Sequence, residues 1–233
     1  MSLIVGVYVP TGIVISGDSR TTGTLTQQVP NPQVLGQTIN VQMSIVLSDA
    51  THKVFKLFHR FGVATFGDAH IDNLPIAHHV QQFEATTQNP PQTTQDLVNA
   101  ILQHFRNYNP IPRTGFVVVG YDNNVPFVFG IDVFGNISQR HNLIQPQNII
   151  DYGILRGGDV DVVNRLLNNQ QRMPPFAAMN LQDAVDFSRH LIRATIDQMR
   201  FEPAVQTVGG DIDTLVITRD KTEFLYRKEL TYK

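Results

Sequence analysis

The hydrophobic period of this chain changes in an ordered way, and that order restricts it to few architectures. Short apolar runs at 3–9 and 12–18, separated by Pro10-Thr11-Gly12, predict an antiparallel strand pair. Residues 41–48 alternate at period two, as do parts of 52–59 and 61–66. Helical spacing then takes over. Leu97, Val98, Ile101, Leu102, Phe105 and Tyr108 fall on one helix face, and Asn89-Pro90-Pro91-Gln92 separates this helix from an earlier candidate around 70–86. Strands return at 115–122, 125–132 and about 133–141, with Asn123-Asn124 and Phe134-Gly135-Asn136 as turn signals. A second helical pair follows, marked by Val160, Val163, Leu166 and Leu167, then by Leu181, Ala184, Val185, Leu191, Ile192 and Met199. Residues 213–218 and 223–228 close the chain as a hairpin. Residues 21–40, rich in Thr, Gln, Pro, Asn and Gly, read as a long loop or extended excursion. Strands, two helices, strands, two helices, strands: this order predicts an α+β fold, with two stacked antiparallel sheets and helices on the outer faces in a four-layer αββα sandwich.

At 233 residues, 42% hydrophobic and 16% charged, the chain reads as one globular domain over 1–233. The formal net charge of -2 and the lack of a Lys/Arg block argue against a nucleic-acid partner. With no cysteine, disulfides, thiolate metal ligands and a cysteine nucleophile are all excluded. The amino terminus lacks a basic n-region, and no apolar stretch approaches the roughly 18 to 20 residues of a spanning helix. A cytoplasmic protein without a membrane partner is the expectation.

Ser2 opens the first strand, one residue from the amino terminus. Removal of Met1 places a hydroxyl and a free α-amine on one residue, the smallest nucleophile-plus-base unit a protein builds. A small second residue favours that removal, and the expectation is that no longer propeptide has to be cut. The bland reading is a polar first residue on an edge strand. Asp18 and Arg20 follow at the end of the second strand.

Five blocks in order favour the first. They are Asp18-Ser19-Arg20-Thr21, Lys53-Val54-Phe55-Lys56-Leu57, Gly62 to Ala69, Tyr152 to Gly158 before a helix, and Gly209-Gly210-Asp211-Ile212-Asp213 before the last strands. The chain resembles the proteasome-type β subunits of the N-terminal nucleophile hydrolases, among bacterial relatives of the ATP-dependent peptidase subunit and the Anbu proteins. The resemblance implies Ser2 in place of the family's amino-terminal threonine, Asp18 as its acidic residue, Lys53 as its catalytic lysine and Gly67 as the glycine whose N–H faces the oxyanion. It further implies peptide or unfolded-protein substrates, a homo-oligomeric ring, an ATPase partner, and no cofactor or metal.

The chemistry is coherent. An α-amine has an ordinary pKa of about 7.7–8, so a modest downward push makes it a proton acceptor at neutral pH. A Lys53 ammonium supplies that push, and a partly buried Lys53 needs the Asp18 carboxylate to stay charged. Departures from the family pattern are also present. Serine lacks the methyl that helps fix the threonine rotamer. Arg156 stands where the family has a serine, and the family's Asp-x-x-Ser-Gly element is reduced to Val205-Gln206-Thr207-Val208-Gly209, in which Thr207 is the candidate replacement hydroxyl. The stretch between Arg20 and Lys53 reads as an insertion.

Other chemistry is weaker. His70 and His78-His79 form no metalloprotease i, i+4 pattern and read as surface or helix-packing residues. Arg156-Gly157-Gly158-Asp159 reads as ordinary helix entry rather than an anion cradle, and Gly209-Gly210 as a turn or bulge. Three functions remain open: a peptidase in a self-compartmentalised ring, a catalytically silent ring subunit, and a small-molecule amidase, against which the block order argues.

Overall fold

The computed structural model describes residues 2–34, 36–168 and 173–229. Met1, whose removal is expected, lies outside the described residues. The chain is mixed α/β. It begins with β1 (Leu3–Val9), β2 (Gly12–Asp18), β3 (Thr21–Pro30), β4 (Thr38–Ser48), β5 (Val54–Leu57) and β6 (Phe61–Gly67). The short strands β7 (His70–Ile71) and β8 (Leu74–Pro75) lead into α1 (Ile76–Thr86) and α2 (Thr94–Arg106). Next come β9 (Thr114–Asp122), β10 (Val125–Asp132), β11 (Ile137–Arg140), β12 (Leu143–Ile144), β13 (Ile149–Ile150) and β14 (Gly153–Gly158). The described chain closes with α3 (Asp161–Leu167), α4 (Leu181–Met199), β15 (Ile212–Ile217) and β16 (Thr222–Tyr226).

Two five-stranded antiparallel sheets carry the apolar core, in the orders β14-β1-β2-β15-β16 and β11-β10-β9-β6-β5. Side chains alternate across each strand, so one strand feeds two clusters. On β1, Leu3, Val5 and Val7 join Val163 of α3 and Val185, Leu191 and Ile192 of α4. The intervening Ile4 and Tyr8 pack with Ile13, Ile15 and Leu215 against Val54, Ala64, Val117 and Val128 of the second sheet. That second sheet turns Phe55, Val63, Phe116 and Phe129 toward Val80 and Phe83 of α1 and Leu97, Ile101 and Phe105 of α2.

Local chemistry sets several boundaries. A capping box starts α2, with Asp96 N donating to Thr93 Oγ1 at 3.1 Å and Thr93 N donating to Asp96 Oδ2 at 3.1 Å. Asn180 caps α4 by accepting from Asp183 N at 2.9 Å. Asn123 and Asn124, at φ 50° and 63°, make the tight β9–β10 turn. Among the described residues no helix is long and apolar enough to cross a membrane.

One expectation is narrowed and two need correction. Residues 21–40 take the extended alternative rather than the long loop: β3 and β4 form a two-stranded ribbon, paired from Thr22↔Val46 to Pro30↔Thr38. Most of both strands is at least partly open to solvent, so their side chains need no buried stripe, and a Thr- and Gln-rich sequence satisfies the backbone pairing. The candidate helix at 70–86 begins only at Ile76, because Asp72 and Asn73, at φ 49° and 64°, turn the chain between β7 and β8. The strand expected over 133–141 shrinks to β11. There Asn136 takes φ 54° and turns the chain after β10.

Candidate active site

Ser2 precedes β1 and is 6% exposed. Its carbonyl accepts from Asp159 N at 2.7 Å, while the next amide, Leu3 N, donates to Asp18 Oδ1 at 2.9 Å. The start of β1 is therefore pinned from both sides, by the end of β14 and by the end of β2. Gly158 makes the first contact feasible, since its φ is +92° and a side chain there would overlap the Ser2 carbonyl.

Asp18 is the hub. Oδ1 accepts from Leu3 N and from Lys53 Nζ, the latter at 2.8 Å. Oδ2 accepts from Arg20 N at 3.1 Å and Gly209 N at 3.0 Å. Lys53 also donates to the Arg20 carbonyl. With Asp18 1% and Lys53 3% exposed, this is a buried ion pair whose remaining hydrogen-bond capacity is largely met by backbone. Burial pushes the Lys53 ammonium below the usual lysine range, and the charge and hydrogen bond of Asp18 oppose that push. Arg20 closes the outer side with a two-pronged contact to Asp49, Nε to Oδ1 at 2.6 Å and Nη2 to Oδ2 at 2.8 Å. The Arg20 hydrogen bond holds Asp49 below the usual carboxylate range.

Ser2, Lys53 and Gly67 line one small cavity together with Thr21, Thr51 and Thr65. Its free volume of about 10 Å³ matches the space for the centre of about one water. Gly67 has φ +99°, and a side chain there would strike the Arg113 carbonyl at 2.3 Å. Thr21 Oγ1 donates to Thr51 Oγ1 at 2.6 Å, whereas the buried Thr65 Oγ1 has no partner among the described residues. Phe66 lines the cavity as well, and its ring occupies space that side chains at Gly115 and Gly157 would fill.

All four residues expected from sequence thus meet: Ser2, Lys53 and Gly67 at the cavity, with Asp18 behind Lys53. The two departures do not. Arg156 is exposed and donates from Nε to Asn164 Oδ1 at 2.6 Å, facing α3. Thr207 does not line the Ser2 cavity. Its hydroxyl donates to Asp159 Oδ2 at 2.5 Å, and both residues line a separate cavity of about 680 Å³. Gly158, Asp159 and Gly209 are the positioning residues that sequence reasoning passed over. Their signal was the pair of Gly-Gly steps, read as helix entry and turn. His79 packs in the helical layer, between Tyr108 Oη and the Ile71 carbonyl, each at 2.9 Å.

No protein-family model matches this chain. No curated protein matches it either. The functional reading therefore rests on the residues and their geometry.

Proposed function

We propose that this chain is a proteasome-type peptidase subunit, one domain over 1–233, that hydrolyses peptide bonds with Ser2 as an amino-terminal nucleophile after loss of Met1. The proposal includes the four-layer αββα arrangement, supported by the three apolar clusters in series from α1 and α2 to α3 and α4. The single observation that carries it is the buried Lys53–Asp18 pair behind a cavity that Ser2 and Gly67 share, with Asp18 also holding the amide next to Ser2.

In this reading Ser2 Oγ attacks the carbonyl carbon of a peptide, and its proton passes to the Ser2 amine. The Lys53 charge keeps that amine a base. The Gly67 N–H stabilises the oxyanion, and the leaving amine takes the proton as the peptide C–N bond breaks. Water then hydrolyses the ester on Ser2.

A second reading, a catalytically silent ring subunit, is favoured by one observation. The cavity at Ser2 has room for the centre of about one water, far less than a peptide needs. Hydrolysis of a broad panel of short fluorogenic peptides by Met-free protein, compared with Ser2→Ala, separates the two. Cleavage lost in Ser2→Ala supports the peptidase; no cleavage by either protein supports the silent subunit.

A further inference from the structure

The two edges of the β14-β1-β2-β15-β16 sheet carry surfaces of opposite charge. Beyond the β16 edge, a cavity of about 640 Å³ is lined by Arg189, Arg193, Arg227 and Lys228, against only Asp211 and Glu229 as carboxylates. Arg189 and Arg193 stand one helical turn apart on α4. The Arg189 guanidinium is fixed: Nη1 donates to the Ile212 carbonyl at 2.9 Å and Thr214 Oγ1 at 3.0 Å, and the group lies 3.8 Å from the centre of the Tyr226 ring. Its Nε and Nη2 have no partner among the described residues, and neither Arg193 nor Arg227 has a carboxylate partner there. Phe224, Leu225 and Tyr226 give the same cavity an apolar wall.

At the opposite edge, beyond β14, Asp159, Asp161 and Glu202 outnumber Arg165, which pairs with Glu202 at 2.9 Å. Next to Glu202 stands Phe201, 82% exposed just past the end of α4. An aromatic ring so open to water, with Arg200 on one side and Glu202 on the other, suits an aromatic-walled socket that also presents cations to Glu202. Both surfaces lie at the end of the sheet where β1 starts, because Leu3 pairs with Gly158 and Asp18 pairs with Ile212.

We infer that Phe201 and Glu202 of one copy seat in the Arg189–Arg193–Tyr226 cavity of the next copy. The contact joins different faces of identical chains, so repetition closes a ring if the rotation completes a circle. The occupant is a second copy because the surplus of two positive charges on one edge meets a surplus of two negative charges on the other. The inference rests on the ring reading above and adds the faces that build it.

The test is sedimentation velocity on the full chain and on three variants: Phe201→Asp, Arg193→Glu with Arg227→Glu, and those two reversals combined with Glu202→Arg. All altered side chains lie at the surface, and circular dichroism melting checks that each variant folds. The expected result is a wild-type oligomer, loss of assembly in the first two variants, and partial recovery in the third. An oligomer that survives both disruptions overturns this interface and leaves the ring standing. A monomeric wild type overturns the ring and the interface together.

Discussion

The Ser2 carbonyl occupies the space in which any side chain at position 158 would stand: a Cβ on Gly158 would come within 1.7 Å of it. Ser2 is therefore positioned by a residue with no side chain, at φ +92°, followed by the Asp159 amide that the carbonyl accepts from. Gly158→Ala should displace Ser2, abolish turnover and cost about 2–4 kcal/mol, the sum of left-handed strain and overlap. Gly36→Ala is the control, because its φ is +84° with nothing within 4 Å, and strain alone there costs about 1–2 kcal/mol. Denaturant titrations of both variants check the difference; equal losses would contradict the steric account.

Lys53→Ala should remove activity and destabilise the chain by about 3–5 kcal/mol, because it leaves the Asp18 carboxylate buried without its cation. The three backbone N–H donors on Asp18 remain, so the fold survives in the absence of denaturant. Urea unfolding followed by circular dichroism measures the loss. A change under about 1 kcal/mol would mean that Lys53 is not desolvated as described.

The rate should fall on the alkaline side at a pH below the ordinary lysine range. Lys53 has its pKa lowered by burial, so as pH rises it loses its proton before an exposed lysine, with a pKa of about 10.4, would do so. In the proposed mechanism the charged form is the competent one, which gives the sign: activity is retained below the Lys53 pKa and lost above it. A pH–rate profile that stays flat to pH about 10.4 would contradict this.

The β3–β4 ribbon should be dispensable for folding. Its strands pair only with each other, and Leu25, Met43 and Leu47 are exposed on it. Replacing residues 24–44 by Asn-Gly would join the paired residues Gly23 and Ile45 through a tight turn. Stability is expected to stay within about 1 kcal/mol of wild type by thermal and urea melts. A collapse of the fold would show that the ribbon supports the Arg20–Asp49 contact at its base.

How far the molecule is legible from its residues depends on what buries them. β1 and β2 are covered on both faces and read as continuous apolar runs; α2 and α4 are covered on one and show helical spacing. The ribbon at 21–48 buries little, so Thr22 to Pro30 carry no apolar signal and read only as a long loop or extended excursion. Ser2, Asp18, Lys53 and Gly67 are named through the resemblance to proteasome-type subunits, and the fold brings them together at one place. The contacts of Gly158 and Thr207 are not legible in that way. The role of each follows from a contact far away in sequence, with Ser2 for one and Asp159 for the other.

The most direct measurement is intact mass spectrometry of Met-free protein treated with a hydroxyl-directed covalent inhibitor, followed by peptide mapping. The account predicts one adduct per chain on Ser2, absent from Ser2→Ala and from Lys53→Ala. Met-free wild-type protein that stays unlabelled, or is labelled equally in Ser2→Ala, would contradict Ser2 as the nucleophile.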